Sequence, residues 1–214
     1  MSLKLNSDLA KSADNIASGI KETGKYIGTI TRAEALVSEK GTLGLGLSIK
    51  TADGQTADYL DLWHTKSDGK ELGSLKTVNA ILCCTKVADA RDGTIQVEKW
   101  NNAIRAREVV TVPGYPDLMG KRIGLLLQKQ LETTDRGKDV ERLNIFAVFN
   151  AETELTASEM YAKKTNPERL SQIFDALMAR PVRDNRKAAS SGGYSSGGEM
   201  GHAGQDVPFD DNPF

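Results

Sequence analysis

Residues Leu43–Lys50 read LGLGLSIK, a stretch that decides the fold class of the whole chain. Leucine or isoleucine fills every second position, and glycine, serine or lysine fills the positions between them. Because side chains alternate between the two faces of a β-strand, this pattern predicts a strand with one buried face. Gly44 and Gly46 leave the other face without side chains at two positions. There we expect either a bend at a barrel corner or the close approach of another backbone or a ligand.

Two short turns connect this strand to its predicted neighbours. Strand signals cover residues 26–31 before it and 57–65 after it, with turns at Glu39–Gly41 and Asp53–Gly54. Turns this short join antiparallel strands, so the first three strands are expected to form a meander.

The remaining core elements are a helix and two more strands. Apolar residues recur at helical spacing over 74–88, and strands are predicted at 121–131 and 140–150. Three strands, a helix and two strands follow one another in this order in the OB-fold. Other five-stranded α+β domains share this order. Together with the C-terminal tail, it predicts a mainly β (α+β) fold, a five-stranded OB-fold Greek-key barrel with a helix between its third and fourth strands.

The flanking segments divide the chain into four parts. Helical spacing predicts a helix over 5–22 and two short helices at 156–164 and 167–179. The last of these carries its apolar residues on one face: Leu170, Ile173, Phe174 and Leu177. Residues 190–204 are rich in serine and glycine and cannot pack a core, so we expect disorder there. The predicted parts are an N-terminal segment (1–23), an OB-fold domain that binds the ligand (24–150), a C-terminal helical extension (151–186), and a flexible linker with an acidic tail (187–214).

Charge and composition narrow the function classes. The net charge of −1 divides into −3 on residues 187–214 and +2 on residues 1–186, a division compatible with a polyanionic ligand and a competing tail. The adjacent Cys83 and Cys84 are expected to be buried, reduced thiols, and no Cys/His spacing matches a zinc motif. Without an enzyme motif, leader or membrane-spanning stretch, we expect a cytoplasmic protein that is not an enzyme and needs no cofactor.

The last nine residues carry the sharpest functional signal. They read DVPFDDNPF, an acidic tip that ends in Pro213-Phe214. The terminal ring, the α-carboxylate beside it and the acidic residues upstream suit a basic pocket on a partner protein. A tail that served only solubility would gain nothing from an exposed ring. The residues expected to contact a partner are Asp206, Phe209, Asp210, Asp211, Pro213 and Phe214.

This tail resembles that of the single-stranded-DNA-binding proteins of bacteria and their phages, in which a Gly/Ser-rich linker leads to an acidic tip ending in Pro-Phe. Residues 25–150 look more like the phage members. The resemblance implies a protein that binds and protects single-stranded DNA largely independently of sequence during phage DNA replication, recombination and repair. It also implies that the tail recruits replication and recombination proteins in the cytoplasm of the host cell.

Strand phasing indicates which side chains of the body face a nucleic acid. Proteins hold single strands with aromatic rings that stack on bases and with basic side chains that follow the phosphates. When Leu60 and Leu62 face the core, Tyr59, Asp61 and Trp63 face outward. The same reasoning applies to the later strands. The alternative is that the rings pack beneath the flanking segments. The predicted platform comprises Tyr59, Trp63, Phe146, Arg122, Arg142 and Lys50.

The same phasing sets expectations for the last two strands. It places Gln128 outward. It places Leu143, Ile145, Ala147 and Phe149 together on the inner face.

Residues 89–120 show no regular pattern, and long irregular segments in compact domains tend to carry function. Trp100, Arg105 and Arg107 are expected to form an arm that either closes over the bound strand or contacts a second subunit. A homodimer is expected, through this arm or the C-terminal helices, because one small barrel offers a short binding path. The alternatives in function are an annealing or RNA-binding OB protein and a protein–protein interaction adaptor.

Overall fold

A computed structural model describes residues 19–101, 103–134 and 137–186, except for the side chain of Trp100. Within these ranges the strands form one sheet, and the mainly β fold is confirmed. The five predicted strands correspond to the first, second, third, sixth and seventh observed ones. The elements are β1 (Gly24–Val37), β2 (Leu43–Thr51), β3 (Thr56–Thr65), α1 (Leu75–Cys84), β4 (Gly93–Asn101), β5 (Ala106–Gly114), a 3-10 helix (Pro116–Leu118), β6 (Arg122–Thr133), β7 (Asp139–Phe149), α2 (Ala157–Tyr161), α3 (Arg169–Ala179) and β8 (Val182–Asn185).

The long strand β1 organises the sheet. Residues 28–37 pair with β2, and residues 24–29 pair on the opposite edge with β6. Because β3 pairs with β2 and β7 pairs with β6, the antiparallel order is β3-β2-β1-β6-β7. In the described part of the chain, no ladder joins β3 to β7. The sheet is therefore open at the place where a barrel would close.

Two apolar clusters hold this sheet. The larger one lies on the inner face and includes Ile30, Leu47 and Ile123, together with Ile81 of α1. Helix α1 contacts both β3 and β7, so it packs across the open side. The smaller cluster lies on the opposite face of β6 and β7, where Leu170 and Leu177 of α3 and their apolar neighbours cover it, as the predicted helix face requires.

The phase of β7 differs from the prediction. Ile145 pairs with Leu127 and Ala147 pairs with Leu126, which leaves Phe146 as an extra, bulged residue. A bulge shifts the alternation by one residue. Ile145 therefore lies in the larger cluster, whereas Ala147 and Phe149 pack in the smaller one. The prediction that all three share the inner face is wrong.

Gln128 is buried, so its predicted outward position is also wrong. Its side-chain amide donates a hydrogen bond to the carbonyl oxygen of Arg180 at 2.7 Å. Chain that follows α3 covers Gln128, because β8 adds to β6 as a short parallel strand. The alternation of residues within β6 could not predict that β8 covers Gln128.

Residues 89–120 are not irregular. Strands β4 and β5 form a regular antiparallel hairpin in which Gly93 pairs with Gly114 and Asn101 pairs with Ala106. Its inner face carries Ile95 and Val97, both buried. The hairpin joins the rest of the sheet through a bridge between Gly114 and Glu34 of β1.

The predicted helix over 5–22 is wrong in the part that the structure describes. Gly19 forms a parallel bridge with Thr56, and the amide of Ile20 donates to the carbonyl oxygen of Thr56 at 2.7 Å. This segment therefore runs alongside β3 in an extended conformation. Residues 1–18 and 187–214, including the acidic tail, lie outside the described residues.

A buried carboxylate fixes the C-terminal extension. Glu159 in α2 accepts hydrogen bonds from the backbone amides of Thr156 at 2.9 Å and of Glu168 and Arg169 at 2.8 Å. Burial raises the pKa of Glu159, but these hydrogen bonds outweigh burial and lower it to about 2. The ionised side chain thus joins the starts of α2 and α3.

No helix within the described ranges is long and apolar enough to cross a membrane.

Candidate nucleic-acid interface

The outer surface of β1, β2 and β3 carries the candidate site. Direct partners in an antiparallel sheet point to the same face, so the register defines rows of neighbouring side chains. In two adjacent rows the middle residue is glycine, which leaves the centre without side chains of its own. We call this surface the glycine-floored face. Its two rows are Glu34-Gly46-Asp61 and Leu36-Gly44-Trp63.

Trp63 lies over Gly44. A β-carbon added at Gly44 would come within 2.8 Å of ring atom Cε3 of Trp63, so only glycine leaves room for the ring in this position. The Trp63 side chain is 37% exposed. Its backbone is held at the start of α1, because the hydroxyl of Ser74 donates a hydrogen bond to the Trp63 carbonyl oxygen.

Arg32 lies over Gly46 in the same way. A β-carbon at Gly46 would meet Nη2 of Arg32 at 2.7 Å. The close approach expected at these glycines is therefore made by two side chains of the chain itself. The guanidinium of Arg32 also lies 5.5 Å from the centre of the Tyr59 ring, within cation–π range.

An ionic network surrounds Arg32. Its Nε donates to Glu34 Oε2 at 2.8 Å, and Lys99 of β4 donates to Glu34 Oε1 at 2.6 Å. On the other side, Asp61 Oδ1 lies 3.5 Å from Arg32 Nη1. Burial raises the pKa of Glu34, but the hydrogen bonds from Lys99 and Arg32 outweigh it and lower this pKa below its ordinary value. Glu34 is therefore ionised, and it holds Arg32 in place within this face.

A second bulge presents Tyr59. Leu60 pairs with Leu47 and Ala57 pairs with Ile49, so the two residues between them in β3 oppose a single residue of β2. Tyr59 adopts a left-handed backbone conformation with φ of 59°, which costs about 1–2 kcal/mol for a residue other than glycine. The ring that this conformation projects is 65% exposed. Such strained residues cluster at functional sites.

A groove continues from Tyr59 towards β7. Its volume is about 420 Å³. Asp58 and Tyr59 of β3 and Val140 and Arg142 of β7 line it, together with Ile20 from the segment that runs alongside β3. The groove and the glycine-floored face thus meet at Tyr59 and form one continuous surface.

The predicted platform residues are all exposed, as the phasing required, but they do not form one site. Phe146, at the β7 bulge, is 43% exposed. Lys50 and Arg122 are both partners of Thr29, so they flank it in a separate row. Arg122 lies about 26 Å along β6 from the partner of Arg142, at about 3.3 Å per residue. Arg122 and Arg142 therefore cannot belong to one compact cluster.

The hairpin places Arg105 and Arg107 near its tip, where both are exposed. Arg107 lies 3.7 Å from Glu98, an exposed ion pair of little energetic weight. The Trp100 side chain is not among those described, so its predicted role stays a prediction. Lys99, which the sequence analysis did not select, is the hairpin residue that reaches the glycine-floored face.

Four charged residues at this face were missed as site residues: Arg32, Glu34, Asp61 and Lys99. The prediction ended the first strand at residue 31, but β1 continues to Val37. A bulge between Ile30 and Arg32 interrupts the alternation at that point. The signal was nevertheless present, because small apolar residues at 33 and 35 alternate with Arg32 and Glu34.

Within the described ranges, no three His, Cys, Asp or Glu side chains converge as a metal site would require. No known protein-family model matches the chain, and no curated protein is similar enough to indicate a relative.

Proposed function

We propose that the protein binds single-stranded DNA on the glycine-floored face and in the adjoining groove. The observation that carries the proposal is the pair of exposed rings, Tyr59 and Trp63, on either side of Arg32. Exposed rings accept any base because every base has a π-face, and the two glycines let Trp63 and Arg32 lie close against the sheet. Binding on such a surface is largely independent of sequence.

The proposed architecture is an open OB-fold. The strand order β3-β2-β1-β6-β7, with α1 packed against both β3 and β7, supports it, since the OB-fold is a partly open five-stranded barrel. OB-folds bind oligonucleotides on the face of their second and third strands. The glycine-floored face occupies the corresponding strands here.

The proposed path of the DNA follows the charges and the rings. It runs from Trp63, across Arg32 and past Tyr59, into the groove beside Arg142. Arg105 and Arg107 on the hairpin supply further positive charge near one end of the path. We place the protein in the cytoplasm, where its acidic tail recruits replication and recombination proteins, as the tail sequence suggests.

Binding should be strong at low salt, weaken steeply as salt increases, and favour single strands over duplex. The reason is that phosphate contacts release counterions, whereas stacking requires unpaired bases. Fluorescence anisotropy with labelled oligo(dT), a mixed-sequence single strand and the matching duplex measures all three properties. Equal affinity for duplex and single strands would contradict the proposal.

Appending one glycine after Phe214 should weaken the binding of tail partners while leaving DNA affinity unchanged. The extra residue moves the terminal carboxylate away from the ring but leaves every acidic residue in place. Truncation after Gly198 should abolish partner binding and also tighten DNA binding at low salt, because it removes a tethered acidic competitor. Pull-down of replication proteins, alongside anisotropy, measures both effects.

If the glycine-extended protein keeps its full partner affinity, the terminal carboxylate is not the anchor. Phe209 or the acidic charge alone would then have to carry the contact. The two tail variants therefore separate the role of the terminus from that of the charge.

A protein-binding adaptor is the second candidate function. The observation in its favour is that Glu34 and Asp61 balance the charges of Arg32 and Lys99 within the face. Such a surface attracts a polyanion less than a purely basic one does. An adaptor would show no affinity for oligo(dT) at any salt concentration. An RNA-binding protein would bind oligo(rU) at least as well as oligo(dT).

A further inference from the structure

We propose that Arg32 forms a phosphate-binding subsite at the centre of the glycine-floored face, and that Asp61 is the internal anion displaced from it by a phosphodiester of the bound strand. This inference rests on the proposed function and assigns the residue that contacts the DNA backbone between the two rings.

The guanidinium of Arg32 has unused capacity. Its Nη1 is buried and makes no hydrogen bond within the described chain. The Asp61 carboxylate lies at 3.5 Å, close enough for an ion pair but without the geometry of a hydrogen bond. The planar arginine fork suits phosphate oxygens, and a buried donor gains most from a partner that completes its hydrogen bonding.

The two carboxylates around Arg32 have different roles. Glu34 is held by hydrogen bonds from both Arg32 and Lys99, and its side chain is only 8% exposed. The Asp61 side chain is 30% exposed, and it approaches Arg32 only as an ion pair at 3.5 Å, without a hydrogen bond. Glu34 therefore fixes the guanidinium in place over Gly46. Asp61 is the carboxylate that can turn towards solvent when another anion arrives.

Burial already opposes the ionisation of Asp61. Burial raises the pKa of Asp61 above its ordinary value and Glu34 adds to the increase, while the positive charges of Arg32, Arg142 and Lys99 act against it. A phosphate placed on Arg32 would add a further negative charge nearby. Because that charge favours the protonated carboxyl, DNA binding should be accompanied by proton uptake at Asp61. Lower pH should therefore tighten binding.

The test compares the full-length protein with Asp61→Asn by anisotropy with labelled oligo(dT) at constant ionic strength. Asp61→Asn should bind about tenfold more tightly at about pH 8, since it removes the competing anion, and should lose most of the tightening that the parent shows as the pH is lowered. The matched control is Asp175→Asn. It removes the same charge from an exposed position on α3 and should leave affinity and pH dependence unchanged.

A second arm identifies the group that Arg32 binds. Arg32→Lys retains the positive charge but loses the planar fork. In the Arg32→Lys background, Asp61→Asn should therefore increase the affinity for oligo(dT) only slightly. An oligonucleotide with an uncharged methylphosphonate backbone should bind the parent and Asp61→Asn equally. A full gain with that oligonucleotide would mean that Asp61 opposes a base and not a phosphate, which overturns the subsite.

The outcomes separate this inference from the proposed function. If the parent protein binds oligo(dT) and Asp61→Asn changes neither affinity nor pH dependence, the phosphate subsite is wrong and the proposed function stands. If neither protein binds oligo(dT), both proposals are wrong. Urea unfolding of each variant confirms that the compared proteins are equally folded.

Discussion

Replacing Trp63 by alanine should weaken the binding of single-stranded DNA by about 1–3 kcal/mol, the usual contribution of one base stacked on an aromatic ring. The ring lies against the backbone of Gly44 and Trp63 is 37% exposed, so we expect a base to stack on the ring without rearrangement of the sheet. Anisotropy with labelled oligo(dT) at low salt measures the loss. In a Trp100→Phe background, quenching of the remaining tryptophan fluorescence reports stacking directly.

A matched pair of glycine variants separates the position of the ring from its presence. Gly44→Ala keeps Trp63 but places a β-carbon where the ring lies, so it should weaken DNA binding with little effect on stability. Gly73→Ala should change neither property, because nothing lies within 4 Å of the added atom. Full DNA affinity in Gly44→Ala would show that the ring does not act from its place over the floor.

Gly124→Ala should lower the free energy of unfolding by about 3 kcal/mol, the upper part of the range for overpacked cores. Gly124 pairs with Phe149, and an added β-carbon would lie 2.1 Å from ring atom Cε2 of that residue. Phe149 cannot swing outward as Trp63 can, because it is fully buried beneath Leu170 and Leu177. Urea denaturation followed by circular dichroism measures the change.

The expected consequences of Gly124→Ala are opposite to those of Gly44→Ala. The packing beneath α3 lies on a part of the sheet that the proposed DNA path does not use. The folded fraction of Gly124→Ala should therefore bind oligo(dT) with the affinity of the parent. Gly73→Ala again serves as the control and should change the unfolding free energy by less than about 0.5 kcal/mol. A stable Gly124→Ala protein would contradict the packing of Phe149 described above.

Local patterns predicted several elements well. The alternation of Leu43–Lys50 and the turns that flank it indicated the meander, and the outward phase of Tyr59 and Trp63 followed from the leucines between them. These features depend on periodicity and turn chemistry, which operate within a few residues of chain. The helical spacing in α3 likewise indicated which of its faces is covered.

Bulges account for part of what was missed. Each inserts one residue that changes the face of everything after it, and each depends on pairing with a distant strand. The bulge in β1 concealed Arg32, the one in β3 gave Tyr59 its left-handed backbone, and the one in β7 sent Phe149 to the second cluster. No pattern in a single strand distinguishes these positions from regular ones.

The sequence by itself determined the mainly β class, the three-stranded meander and the exposure of Tyr59 and Trp63, because each follows from short-range alternation. Only the tertiary structure decided that Arg32 lies over Gly46, that Lys99 reaches Glu34 from the hairpin, and that Asp61 lies beside the same guanidinium. Those contacts join residues far apart in the chain. Their physical origin is the pairing of separate strands, whose register sets which charges become neighbours.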